Sequence, residues 1–430
     1  MKFEELHPRD QLVAVMNRIY HNGMTTLTGG NLSILEENGD IWVTPSAIDK
    51  GKLRPEDMIC MKKDGNVIGL HKPSIELPFH QAIYKRRPDL RAVLHAHPPA
   101  LVTFSISHQI PNTRIIPQAD RVCRPIGFAP YALPGSMELG ENIAATFAQG
   151  FNSVILENHG MAAAGDCLLD AYHRLETLDF CARTLIRAAA LGRVNTLTDE
   201  QLALFDNRTP DLQEFLHESI SDEEQKKRRL LVEIVHRACK RYLMISTEGV
   251  ASVRLEGDDF LITPTGLDRH LLEEDDVVLV RDGKRENGKH PSRSVLVHAE
   301  IYKKHPEIQS IISAQSPNIV AYAITESEFE SKLIPESYLV LLDVPKVPFE
   351  VIYNQPHRLA EIVSLKTPVV IIENDCVLVV GDSLINAFDR MEIAEFSAMA
   401  LHDTLFVGNL VTIGRNDVQD LEHKFFGTPN

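Results

Sequence analysis

Residues 153–176 read SVILENHGMAAAGDCLLDAYHRLE, and residues 369–392 read VVIIENDCVLVVGDSLINAFDRME. The second block answers the first at a constant offset of 216, without a gap. Each has an apolar run, a Glu-Asn turn, a second apolar run, Gly-Asp and a long amphipathic stretch. Other pairs keep the same order. Thr44-Pro45-Ser46-Ala47 answers Thr263-Pro264-Thr265-Gly266 at an offset of 219. Lys72-Pro73-Ser74, His80 and Ile83-Tyr84 answer His290-Pro291-Ser292, His298 and Ile301-Tyr302 at 218. Leu94-His95-Ala96-His97 answers Ile312-Ser313-Ala314-Gln315 at the same 218. A unit of about 200 residues is therefore present twice, too long for a solenoid repeat and large enough to bury its own core. We expect domains over 1–205 and 225–430, joined by a polar, charged linker over 206–224.

Local patterning gives the class of each copy. Amphipathic helices are expected at 8–22 and 225–243. Short strands follow in the runs NLSIL, DIWVTP, MICMKK and NVIG, separated by turns such as Glu37-Asn38-Gly39-Asp40. A helix of about a dozen residues begins near Ser74, with Ile75, Phe79, Ala82 and Ile83 at helical spacing. RAVLHAH and SVILEN read as strands, and 168–191 as a long helix. The expected fold is α/β: a duplicated three-layer α/β/α arrangement around a mostly antiparallel sheet.

Composition narrows the function classes. The 430 residues are 44% hydrophobic and 24% charged, within the globular range. No run reaches the ~18 apolar residues of a spanning helix. The net charge of −16, with no basic block, argues against nucleic acid and anionic membranes as partners. It leaves room for a small anionic substrate held by a few local donors. The start MKFEEL has no apolar signal segment, and the six cysteines form no CxxC pair, so a cytoplasmic protein with reduced thiols is expected.

His95 and His97 stand two apart on an expected strand, so both imidazoles leave the same face. His159, at the end of another apolar strand and followed by Gly160, can supply a third nitrogen. Three histidines and an open position suit catalytic zinc. A lone His-x-His is more often a packed or surface pair. The second copy acts as an internal control, because it has Ser313, Gln315 and Asp375 at these positions. All three imidazoles are missing together while the surrounding pattern persists, as when one metal site is discarded. Glu76, expected in the first turn of a helix, could be an ordinary helix-start acid. Its counterpart is Ser294, so it disappears with the histidines and is the candidate acid/base. Thr28-Gly29-Gly30-Asn31, Thr44-Pro45-Ser46 and Lys72-Pro73-Ser74 offer hydroxyls and backbone N–H groups able to hold a phosphate, and each alone is commonly a plain turn.

Together with Ala129-Pro130-Tyr131 and Asn158-His159-Gly160, these motifs resemble the class II aldolase/adducin family, most of all its fuculose-phosphate aldolase branch, over most of residues 8–195. The resemblance implies that His95, His97 and His159 bind Zn2+ or another divalent cation. It implies Glu76 beside the metal as the proton-transfer group, and Tyr131 as a proton donor reaching across a subunit interface. It implies Gly30, Asn31, Ser46 and Ser74 as the phosphate pocket. The implied activity is zinc-dependent aldol cleavage or formation in a ketose phosphate or related sugar. Epimerase, dehydratase or decarboxylase chemistry on the same site is the alternative, and an adducin-like scaffold the non-enzymatic one. The implied assembly is a homo-oligomer, either a tetramer or a dimer forming a pseudo-tetramer. Ile75 stands where the family's sugar-phosphate aldolases carry a second serine, Ala47 replaces a glycine, and Val250 stands in the second copy where the first has Asn31. That second copy is expected to be metal-free.

Overall fold

The computed structural model describes residues 3–207 and 210–427. Two compact units divide the chain: Met1–Thr113 with Gln118–Ala182, and Arg114–Pro117 with Arg183–Asn430.

The first unit is built on eight strands: β1 (Asn31–Leu35), β2 (Ile41–Val43), β3 (Ile59–Met61), β4 (Val67–Ile68), β5 (Ala92–Ala96), β6 (Ile126–Ala129), β7 (Ser153–Leu156) and β8 (Gly160–Gly165). They lie in the order β4-β3-β2-β1-β5-β8-β7-β6, antiparallel throughout except for the pair β6–β7. The alternation of a pleated strand gives the sheet two apolar faces. On one, Val43, Val93, Val154, Leu156 and Ala162 pack with Leu77, Phe79 and Ile83 of the helix Leu77–Arg86 and with Leu139 and Ile143 of the helix Met137–Phe147. On the other, the helix Pro8–His21 lies against β1 and β2, and the helix Pro99–Ile106 against β7 and β8. This is the expected three-layer order. Pro8 opens the first of these helices where its missing N–H costs nothing, and its buried stripe Leu12, Val15, Met16, Ile19 follows the helical period.

The second unit repeats the plan with β9 (Glu214–Phe215), β10 (Val250–Arg254), β11 (Phe260–Ile262), β12 (Val278–Arg281), β13 (Lys284–Glu286), β14 (Ser310–Ala314), β15 (Lys346–Val347), β16 (Val369–Ile372) and β17 (Val377–Gly381). The order β15-β16-β17-β14-β10-β11-β12-β13-β9 is that of the first sheet with one strand added at its edge. That added strand, parallel to β13, lies within 206–224, the segment expected as a linker, and by compactness the units divide within the helix Leu168–Ala188. Glu214 and Phe215 are too short a run to show a strand period, so only the partner strand reveals them. Among the described residues no helix is long and apolar enough to cross a membrane.

Candidate metal centre

The site lies where β1, β5 and the β7–β8 turn come together. β1 and β5 pair antiparallel with Asn31 directly opposite His95. His95 is fully buried, and His97 follows just beyond the strand end. The loop before β1 must pass close beneath them. Gly30 has φ +71°, and a Cβ there would stand 2.8 Å from the His95 carbonyl oxygen. Only glycine meets both requirements at low cost.

His159 sits in the tight turn between β7 and β8, after Asn158 with φ +51°. Its N–H donates to Ser105 Oγ (2.9 Å), whose hydroxyl donates to the Leu156 carbonyl (2.6 Å). A Cβ on Gly160 would stand 2.6 Å from the Ala96 carbonyl oxygen, so glycine lets this turn close against β5.

The three rings converge, with centroids 4.5 Å (His95–His97), 4.7 Å (His95–His159) and 5.2 Å (His97–His159) apart. One ligand nitrogen from each lies within 4.8 Å of the others. No other such cluster of three histidine, cysteine or carboxylate side chains occurs among the described residues. His95 Nδ1 is 2.8 Å from the Met161 carbonyl oxygen, an acceptor only, so Nδ1 carries the hydrogen and Nε2 the lone pair. That Nε2 is buried without a hydrogen-bond partner. A buried unsatisfied acceptor is costly, and a cation is what it lacks. Burial, reinforced by His97 and His159, holds the His95 pKa well below the usual histidine value. Burial lowers His97 and His159 as well, opposed by the nearby Glu76 carboxylate. Neutral imidazoles are the form that binds metal. The donor set fits a divalent ion.

Glu76 completes the cluster. Its Oε2 is 3.5 Å from His95 Nε2, and its Oε1 is 3.6 Å from His159 Nε2. Sequence reasoning put Glu76 in the first turn of a helix; it is the residue before the helix, at φ −95°, and its side chain caps nothing. The carboxylate is turned into the site, held by a 2.7 Å bond from Asn31 Nδ2. The Ser74 hydroxyl oxygen accepts from the Glu76 N–H (3.3 Å). Ser46 lies on a neighbouring loop, where Pro45 bridges to Pro73 and the Ser46 N–H donates to the Lys72 carbonyl (2.9 Å). The loops bearing Ser46 and Ser74 thus meet, while Gly30 lies against His95 and the Asn31 carboxamide is committed to Glu76 and His80. Tyr131 is not brought to the cluster. Its side chain is 53% exposed and makes no hydrogen bond or ring contact among the described residues, while its N–H donates to Glu157 Oε2 (2.7 Å).

Residues the sequence did not single out support the site: Met161, Ser105, and the buried group Ser33, His80 and Tyr84 behind Asn31. The last had a signal, because His80 and Tyr84 recur in the second copy as His298 and Tyr302 although the three clustered histidines do not.

The family model of the Class II Aldolase and Adducin N-terminal domain matches residues 10–186 and again 229–402. The 3-oxo-tetronate 4-phosphate decarboxylase of Haemophilus influenzae is 30% identical over 208 residues, 47% of this chain and 98% of that protein. The 5-deoxy-D-ribulose 1-phosphate aldolase of Bacillus thuringiensis is 31% identical over 200 residues, 45% of this chain and 91% of that protein. The L-fuculose phosphate aldolase of Methanocaldococcus jannaschii is 31% identical over 171 residues, 40% of this chain and 91% of that protein.

Proposed function

This chain belongs to the class II aldolase and adducin family, and from that membership and its site we propose a metal-dependent carbon–carbon lyase acting on a ketose phosphate or related sugar. The observation that carries the reading is the Glu76 carboxylate set between His95 Nε2 and His159 Nε2 at 3.5 and 3.6 Å, beside a buried lone pair that lacks a partner. Zinc, or another divalent cation, held by His95, His97 and His159 would supply a Lewis acid for the negative charge that develops on the substrate's oxygen.

The remaining work falls to the chain itself. In the condensing direction Glu76 takes the proton from the carbon next to the ketone, with Asn31 fixing the direction of its carboxylate. The new C–C bond forms to the aldehyde carbon, whose oxygen takes up a proton. Tyr131 is the proposed donor of that proton. We propose that it serves a site on a second copy of the chain, in a homo-oligomer, a reading its exposed ring supports. Gly30, Ser46 and Ser74 are proposed to receive the phosphate through N–H and hydroxyl donors. The second repeat, with Ser294, Ser313, Gln315 and Asp375 at the matching positions, is proposed to be metal-free and structural.

A second reading is favoured by the decarboxylase among the relatives, which matches this chain over 208 residues. Loss of carbon dioxide from a 3-oxo acid phosphate leaves the same kind of carbanion for Glu76 to protonate. Incubating the zinc-loaded protein with ketose 1-phosphates and with 3-oxo-tetronate phosphates separates the two by aldehyde or carbon dioxide release. The shared step is tested by Glu76→Gln, which should keep its metal and lose solvent exchange of the ketone's α-proton. Exchange at the parent rate overturns the reading.

A further inference from the structure

Behind Glu76 runs a line of buried polar groups that ends at no solvent. Asn31 Nδ2 is 2.7 Å from Glu76 Oε2, and Asn31 Oδ1 is 2.5 Å from His80 Nε2. His80 Nδ1 is 2.7 Å from Ser33 Oγ, which is 2.7 Å from the Tyr84 hydroxyl. Asn31, Ser33, His80 and Tyr84 are all more than nine-tenths buried. At that depth their donors and acceptors are matched chiefly among themselves.

With Glu76 taken as the base proposed above, the direction of donation from Asn31 to Ser33 follows. A general base presents oxygens that only accept, so in that role of Glu76 the Asn31 NH2 faces Glu76 and its oxygen faces His80. With the amide reversed, two acceptor oxygens would meet at 2.7 Å. The oxygen facing His80 then needs a donor, which puts the imidazole hydrogen on Nε2. Nδ1 becomes an acceptor, taken up by the Ser33 hydroxyl, and Ser33 Oγ accepts from the Tyr84 hydroxyl. The single Tyr84 hydrogen is shared between Ser33 Oγ and the Ser33 carbonyl oxygen, to which it also donates at 3.1 Å. Burial lowers the His80 pKa to about 3, consistent with a neutral ring that can accept at one nitrogen while donating at the other.

The second repeat separates the inherited part of this line from the added part. Ser252 Oγ is 2.7 Å from both His298 Nδ1 and the Tyr302 hydroxyl, the same distances as in the first unit. The Ser-His-Tyr group is therefore common scaffold. Val250 and Ser294 replace Asn31 and Glu76, so the extension that reaches a carboxylate occurs only in the repeat that has the three histidines.

We propose that His80 is a positioning residue for proton transfer: an imidazole protonated at Nε2 that locks the Asn31 carboxamide with its NH2 toward Glu76. The proposal rests on the reading of Glu76 as the proton-transfer group. Supporting groups of this kind are worth roughly 10- to 100-fold in activity.

The test has two independent arms on the full chain. Nitrogen NMR of imidazole-labelled protein at neutral pH, with the His80 signals assigned by their loss in His80→Gln, should show a neutral ring with hydrogen on Nε2. A hydrogen on Nδ1, or a doubly protonated ring, reverses or breaks the line and overturns the proposal whatever the enzyme does. In the second arm, Asn31→Val, the residue the second repeat carries, should bind metal as the parent does, while α-proton exchange falls roughly 10- to 100-fold. His80→Gln, which can return an N–H near the lost one, should recover most of the parent rate, whereas His80→Phe should not. Equal losses for His80→Gln and His80→Phe, or loss of metal in Asn31→Val, overturn the proposal. If the parent protein exchanges no proton with any ketone tested, the lyase reading fails on its own and the NMR arm alone decides the tautomer.

Discussion

Ala47 holds φ +55° at the position where Gly266 holds φ +73° in the second repeat. The two loops are matching turns, Thr44-Pro45-Ser46-Ala47 and Thr263-Pro264-Thr265-Gly266. The left-handed region costs a residue with a Cβ roughly 1–2 kcal/mol, and glycine escapes that cost. Ala47→Gly should therefore stabilise the first unit, by about 1 kcal/mol once the greater flexibility of unfolded glycine is counted. A Cβ on Gly266 meets nothing within 4 Å, so Gly266→Ala should destabilise by a similar amount through the backbone alone. Urea midpoints at constant slope measure both; shifts in the same direction contradict the account.

Metal analysis of the purified chain should give about one divalent ion, and fewer than about 0.1 after His95→Ala, His97→Ala or His159→Ala. Chelation should lower the melting temperature of the parent and leave those variants unchanged, since a ligand that binds only the folded state stabilises it. Burial holds all three imidazoles below the ordinary value of 6.5. Protons therefore compete with metal only at more acid pH, and half-release on acidification should lie below 6.5. Release centred above that value would show the rings to be solvated.

Gly160→Ala should loosen metal binding without unfolding the chain. Its Cβ would press on the Ala96 carbonyl oxygen at 2.6 Å and on His97 Cδ2 at 2.8 Å, so the turn bearing His159 must move. We expect a loss of metal affinity of roughly 10- to 100-fold, read by competition with a chromogenic chelator. Parent-like affinity would show that the turn can relax without displacing its histidine.

Glu395 supplies a pH signature for the second unit. It is buried and accepts from the N–H groups of Asn318 (3.0 Å) and Ile319 (2.9 Å) and from Asn318 Nδ2 (2.6 Å). Burial outweighs these donors and raises its pKa from 4.5 to about 7. A raised folded pKa favours the folded state below the unfolded value, and that contribution is lost as pH rises through the folded value. Stability should fall by about 3 kcal/mol between pH 4.5 and pH 8 from this group. Glu395→Gln should flatten that slope in the transition assigned to the second unit. An unchanged slope would place the titration elsewhere.

The sequence carried the outline of the molecule further than its chemistry. The 216-residue offset announced two copies, and the His95-Ala96-His97 spacing needs only the alternation of a strand to place two rings on one face. The strand Glu214–Phe215 was hidden because its reason for being extended lies in Arg285 and Glu286, some seventy positions away. The helix expected from near Ser74 begins at Leu77, which leaves Glu76 just outside it, because helix boundaries depend on a capping geometry that residue identity only biases. The role of Asn31 was the least visible. Its contact with Glu76 follows from the register that sets it against His95, and register belongs to a pair of strands. Tyr131 shows the converse: a motif match names the residue, while its exposed ring leaves it without a partner group inside the described chain.

The acceptor that fixes the tautomer of His95 is the main-chain carbonyl of Met161. Every amino acid offers that oxygen, so no substitution at 161 removes it. The electronic state of the most deeply buried of the three histidines is thereby insulated from genetic drift at its neighbour, and a lineage can change the side chain at 161 without turning the His95 lone pair away from the other two rings.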